Sequence, residues 1–220
     1  MPMIIQLAPE LQGILAVGIV RVTGLHVRAE NPHWHLIDEL CRTYHQQYAG
    51  APSSQVPDVG WARKLYASVG IDPTRYRPSS EALLRRALKG EPLPQINTLV
   101  DACNWCSLDY LLPIGLHDTD RLIGDVTLRL GLPEEAYEGI RKGMVHVAGR
   151  LCVADEHGAF GSPSSDSLRA SIMPATRNAL ALIYAPADDP AEDLAEAAEM
   201  FAERATAWCG GEVVLTDVLR

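Results

Sequence analysis

Asn97, Asp101 and Asn104 stand at i, i+4 and i+7 in one apolar run, followed by Leu108 at i+11. A helix through them puts two amides and a carboxylate on one stripe. Such a stripe can hold a loop, a ligand or a water. Equally, Asn97 caps the helix and the other two face solvent, because polar helix faces are commonly just hydrated. The opposite expectation holds for Ile96, Val100, Cys103 and Tyr110, whose spacing predicts a buried face.

Arg77-Pro78-Ser79-Ser80-Glu81 is a second constellation. Pro78 forces Arg77 into an extended conformation just outside a helix start. Arg77 and Glu81 can then pair across the first turn, a surface ion pair worth at most about 1 kcal/mol. The alternative is an arginine that meets a phosphate or carboxylate of a ligand.

Other candidates carry less. His33 and His35 are two apart at the start of a helical pattern, where their side chains diverge, and structural zinc sites take four ligands. No metal is expected. Cys103 and Cys106 form a C-x-x-C in mid-helix, not at the helix N-terminus that stabilises a thiolate. They read as small core residues. There is no P-loop, no G-x-S-x-G elbow and no dinucleotide fingerprint, so no cofactor is expected.

Three helices position these groups. The first runs from Trp61 to Val69 and closes at Gly70. The second starts at Ser79 or Ser80 and closes at Gly90. The third starts at Asn97 and ends before Pro113. Ser and Asn before an apolar run accept the free N–H groups of a first turn, and glycine closes a helix in the left-handed conformation. Upstream, Gly13 to Leu25 predicts one or two strands and Pro32 to Tyr48 a helix, separated from the central helices by a loop over Ala49–Asp58. Downstream, Leu116–Gly124 reads as turns, and Asp125–Leu130 and Val145–Ala154 as strands. Gly161–Ser167 reads as a loop, and Leu168–Met173 and Ala179–Ala185 as strands. Ala191–Trp208 predicts a helix and Val213–Leu219 a last strand. Strands at both ends with helices between them make an α+β chain.

The run PQINTLVDACNWCSLDYLLPIG resembles the core motif of the B3/B4 domain of the phenylalanyl-tRNA synthetase beta chain: an Ile-Asn pair, a Val-Asp pair, an Asn one turn later, then a proline turn. Upstream, ARKLYASVGIDPTRYRPSSEALLRRALKG resembles free-standing proteins built from that domain alone. The match runs from Trp61 to Asp118, about a quarter of the chain, with a weaker echo near SIMPATRNALALIYAP. The resemblance implies one layered sheet-and-helix domain over residues 1–220. It implies hydrolysis of the ester of a mischarged aminoacyl-tRNA by a stand-alone trans-editing factor serving translation fidelity. The partner is then the aminoacylated 3′ end of a tRNA.

In the synthetase domain the proline turn reads Pro-Leu-His-Ala-Phe-Asp, and its His helps to line the editing site. Here Gly115 stands at that position and His117 comes two residues later, on the same face if the segment is a strand. The Gly-Glu element of that site has no clear counterpart. The loop Gly161 to Arg169 should lie in its place, with Asp166 and Arg169 as its polar residues. On this reading Asn97 and Asn104 polarise the ester. His117 or Asp166 holds the water, His being the more natural base near neutral pH. Arg77, Glu81, Asp101, Gly115 and Arg169 contact substrate. Two other functions fit: a non-catalytic tRNA- or RNA-binding or protein-docking module, and a hydrolase or binder of small amino-acid derivatives.

Composition sets the outer bounds. With 220 residues, 47% hydrophobic, the chain can bury one solid core. A net charge of −9 argues against bulk attraction to DNA or an anionic membrane. Yet Arg63, Lys64, Arg75, Arg77, Arg85, Arg86 and Lys89 cluster in the central stretch, either as a solvated face or as a local basic patch. Five cysteines at irregular spacing suit a reducing compartment. The N-terminus lacks the basic leader of a signal peptide, and Gly13–Val20 is too short to span a bilayer. A cytoplasmic location is expected. Oligomeric state is left open.

Overall fold

The computed structural model describes residues 3–188 and 191–220. In chain order the strands are β1 (Ile5–Leu7), β2 (Leu15–Thr23), β3 (Ile114–Asp118), β4 (Val126–Leu130), β5 (Ala136–Gly139), β6 (Gly143–His146), β7 (Leu151–Asp155), β8 (Gly158–Ser162), β9 (Ser165–Asp166), β10 (Ala179–Pro186) and β11 (Glu212–Leu219). The helices are α1 (Trp34–Tyr48), α2 (Val59–Ser68), α3 (Ser79–Leu88), α4 (Thr98–Tyr110) and α5 (Ala191–Cys209).

The centre is an antiparallel sheet in the order β11-β2-β10-β3. Every residue of β10, ALALIYAP, is buried, as a strand covered on both faces requires. Its alternation splits two cores. Ala181, Ile183 and Ala185 pack with α1, α3, α4 and α5. Leu180, Leu182 and Tyr184 pack with Leu65 and Tyr66 of α2 and with a second sheet, β1-β4-β7-β8-β9. The architecture is therefore helices, central sheet, second sheet, in that order, and α+β as expected. The hairpin β5-β6 lies outside these layers, with a small core of its own around Tyr137 and Cys152.

The three central helices form where expected, with α2 beginning two residues early after Asp58, which is in the left-handed conformation at φ 65°; Asn97 caps α4, but α3 starts behind Pro78 and neither Ser79 nor Ser80 caps it. Several elements differ from expectation. Leu116 to Asp118, expected to open a run of turns, belong to the buried strand β3; pairing with β10 overrides that expectation. The expected strand Val145–Ala154 is two strands broken by a turn at Gly149, whose φ is +68°. The expected loop Gly161–Ser167 contains the end of β8 and all of β9, while Leu168–Met173 is not a strand. Ile96 is 41% exposed, because it lies before the cap of α4 and outside the helical stripe. No strand was expected over β5, whose partner lies only across a short turn.

Candidate functional site

β3 is an edge of the central sheet and β9 an edge of the second, and the two edges meet. The Leu116 N–H donates to Asp166 Oδ2 at 3.4 Å across that junction. Period-2 alternation sends Ile114 and Leu116 into the helical core and turns Gly115 and His117 toward the second sheet. There Gly115 lies opposite Leu182 and His117 opposite Leu180 of β10, with Tyr184 two residues further along.

This face is unusually polar for a sheet-to-sheet core. His117 and Tyr184 are fully buried, and both His117 ring nitrogens and the Tyr184 hydroxyl lack a hydrogen-bond partner. Unpaired buried polar atoms cost roughly 1–3 kcal/mol each. The two side chains converge over the Gly115 Cα: a Cβ there would sit 2.8 Å from Tyr184 Oη and 3.0 Å from His117 Nε2. Gly161 presses from the other side, where a Cβ would come within 2.6 Å of His117 Cε1. Phe160 meets the imidazole edge-on at a centroid distance of 4.9 Å.

Asp166 completes the group, its Oδ1 3.8 Å from His117 Nε2 with 23% of its side chain exposed. Burial dominates the titration of all three. It lowers the His117 pKa to about 3, with the Arg169 charge adding to the effect. It raises the Asp166 carboxyl to about 7, against the Leu116 N–H and the Lys142 charge. It pushes the Tyr184 phenol up, with Asp166 adding to the shift. The expected order of acidities is therefore reversed: the carboxyl titrates near neutrality and the imidazole stays neutral there.

The β8–β9 turn separates this group from a cleft of about 500 Å³. Ser162, Ser164 and Ser165 face the cleft. Two buried tyrosines brace the turn: Tyr66 Oη donates to the Pro163 carbonyl at 2.6 Å, and Tyr137 Oη donates to Ser162 Oγ at 3.0 Å. Arg75, Arg77, Lys142 and Arg150 supply the charged lining, with His146 beside them. The Lys142 ammonium donates to the Ser164 carbonyl at 2.8 Å.

The structure gathers Gly115, His117 and Asp166 and puts Arg77 in the neighbouring cleft. The other expected site residues lie elsewhere. Asn97 is the cap of α4, its Oδ1 accepting from the Val100 N–H at 3.0 Å, and Nδ2 reaches the Ile172 carbonyl at 3.5 Å. Asp101 is buried and accepts from the Ile96 N–H and from Asn31 Nδ2. Burial raises its pKa against those hydrogen bonds. Asn104 is half-buried on the same helix. That helix packs on the face of the central sheet opposite Gly115 and His117, so the amides and the glycine turn do not wall one hollow.

Glu81 pairs with Arg63, not Arg77. Arg63 donates from Nε and Nη2 at 2.8 and 2.6 Å, and Ser53 Oγ adds a third bond at 2.8 Å. Burial alone would raise the Glu81 pKa, but these bonds hold it below the usual range. Arg169 forks onto Asp155 at 2.8 and 3.0 Å and lies over Phe160, one ring away from His117. The expected basic patch disperses as well. Arg63, Lys64, Arg86 and Lys89 pair with carboxylates, and of that cluster only Arg75 and Arg77 line the cleft. His33 stacks on Trp208 at 5.2 Å. Cys103 and Cys106 are buried free thiols, and burial pushes Cys106 up to about 12.

Tyr184, Tyr66, Tyr137, Lys142 and Arg150 were not expected at the site. Tyr184 was hidden in an apolar strand, where its position in the alternation with Leu180 and Leu182 is the one available signal.

The B3/4 domain family model matches residues 62–201. The phenylalanine–tRNA ligase beta subunit of Psychrobacter arcticus is 29% identical over 118 residues, which is 52% of this chain and 14% of that protein. A crystal structure of an N-terminal fragment of the phenylalanyl-tRNA synthetase beta-subunit from Pyrococcus horikoshii covers 97% of this chain and 50% of its own, at 12% identity and a TM-score of 0.49. The chain thus spans a small part of that curated relative. No described helix is long and apolar enough to cross a membrane.

Proposed function

We propose, for a chain that belongs to the B3/4 domain family, the hydrolysis of the ester joining a wrong amino acid to a tRNA, by a factor acting apart from the synthetase. The relationship to a tRNA ligase subunit supplies the substrate class. The observation that carries the chemistry is the place of Asp166: a partly exposed carboxyl backed by His117, on the hairpin whose other side walls a cation-lined cleft.

Asp166 is the general base. Its carboxylate takes a proton from a water as the oxygen attacks the ester carbonyl, and returns it to the ribose oxygen that leaves. The products are a free amino acid and an uncharged tRNA. Lys142, whose charge reaches Asp166, favours the oxyanion that forms. An activated ester needs only such positioning and electrostatic help. His117 is enclosed and touches no substrate; with Tyr184 it is a positioning residue behind the carboxyl.

Deacylation of a panel of mischarged tRNAs tests this. Asp166→Asn should slow release at least about a hundredfold. Binding without release by the unaltered protein would defeat the proposal and favour a second reading, a non-catalytic RNA-binding module. One observation supports that alternative: His117 and Tyr184 already fill the space over Gly115.

A further inference from the structure

We infer that the cleft between the α2–α3 connection, the β5-β6 hairpin and the β8–β9 turn is a nucleotide site, holding phosphates on Arg75, Arg77, Lys142 and Arg150 and a base on its apolar wall. The inference goes beyond the hydrolase reading and stands without it.

Charge makes the first argument. The chain carries 28 acidic side chains against 19 Lys and Arg, yet no carboxylate lines this cleft. Among the described residues, none of these four cations lies within ion-pair distance of a carboxylate, while Arg63, Arg86, Arg121, Arg129 and Arg169 all do. Asp72 is close enough for Arg75 to lower its pKa, but the Thr74 hydroxyl and N–H hold it first. Four like charges gathered in one recess repel one another, and an anion between them relieves that repulsion.

Pre-organisation makes the second. Arg150 and Arg75 lie over the Tyr76 ring at 4.8 and 5.5 Å. Stacking fixes each guanidinium plane; Arg150 donates from Nη1 to the His146 carbonyl at 3.4 Å, and its other N–H groups are left to meet a phosphate. Lys142 is tethered through the Ser164 carbonyl, while the hydroxyls of Ser162 and Ser165 donate inside the hairpin to the Ser165 and Asp166 carbonyls.

Size and polarity make the third. At about 500 Å³ the recess is larger than a bare phosphate needs and falls in the range of small-ligand sites. Met144, 59% exposed, and the half-buried Val145 give the recess apolar surface, backed by the buried Ile71, Val147 and Leu151. Apolar surface and cations in one recess match a planar base carrying phosphate. Single-stranded RNA and free nucleotides share that chemistry.

The test is fluorescence anisotropy with a labelled 5′-phosphorylated RNA tetranucleotide, with unlabelled ATP and inorganic pyrophosphate as competitors. Arg150→Gln and Lys142→Ala should each weaken binding about tenfold or more. Arg77→Ala, on an exposed side chain, should do so without any change in thermal unfolding. Affinity should fall with salt, and each variant should flatten the log–log slope by about 0.7. Competition by ATP as strong as by RNA would make a free nucleotide the occupant. Pyrophosphate competing as well as either would overturn the nucleotide assignment, as would RNA binding that none of the three variants weakens. Asp166→Asn should leave RNA affinity unchanged while slowing ester release about a hundredfold or more, so loss of one result does not carry the other with it.

Discussion

Nε2 of His117 lies 3.8 Å from Oδ1 of Asp166, and at no pH are both groups charged. Burial drives the imidazole down to about 3 and the carboxyl up to about 7. Between those values both are neutral; above 7 only the carboxylate is charged. At this distance, and with both ring nitrogens unpartnered, the contact is a packing relationship and neither a hydrogen bond nor an ion pair.

Activity should follow the carboxyl. If Asp166 is the base, ester release rises with pH through about 7 and then levels. A rate that instead tracks a group near 3, or that keeps its profile in Asp166→Asn, assigns the base elsewhere.

Stability should reveal the opposed shifts. The Asp166 pKa is raised from 3.8, so its folded form holds extra protons and stability from this group falls as pH rises from about 4 to 7. The His117 pKa is lowered from 6.5, so its contribution is complete above 6.5 and is lost as pH falls toward 3. Between pH 4 and 6.5 the slopes oppose each other. Asp166→Asn should leave stability rising with pH across that window, and His117→Gln should leave it falling. Urea midpoints at pH 4, 5.5 and 7 measure both; parallel curves for all three proteins contradict the shifts.

Gly115→Ala should cost about 1–3 kcal/mol by overpacking, since its Cβ would meet Tyr184 Oη at 2.8 Å and His117 Nε2 at 3.0 Å. Tyr184→Phe removes the nearer atom and should recover part of the loss. A double-mutant cycle tests the contact; strictly additive effects would show that the two residues do not share this space.

Arg63→Ala should destabilise by about 2–3 kcal/mol, because Glu81 is 1% exposed and keeps only Ser53. The cost lies below that of a fully buried pair because Arg63 is 41% exposed. Adding Glu81→Gln should restore most of it by removing the stranded charge. Denaturant midpoints of the single and double variants decide the matter.

Asn97→Ala should lower stability by about 1 kcal/mol, the ordinary worth of a lost cap. Ester release per folded molecule should be unchanged, since the amide is spent on Val100 and Ile172. A rate loss larger than the folded fraction explains would return Asn97 to the reacting centre.

The sequence by itself determined the local architecture. Asn97, Gly90 and Pro113 mark helix ends because a cap or stop acts within one turn of chain, and the motif from Trp61 to Asp118 carried the family. It also marked Gly115, His117 and Asp166. Tertiary structure decided what those residues touch. Leu116 and Asp166 meet although fifty positions separate them, and Tyr184 reaches Gly115 through the register of β10 on β3. Arg75 and Arg150 share one ring although they belong to different elements. Asn97 and Asp101, equally polar on paper, were drawn away from the site, Asn97 to cap α4 and Asp101 to the Ile96 N–H and Asn31. Which partner a polar side chain finds depends on strand register and on which edges two sheets bring together. Those follow from burying two cores at once, and no short window of sequence contains them.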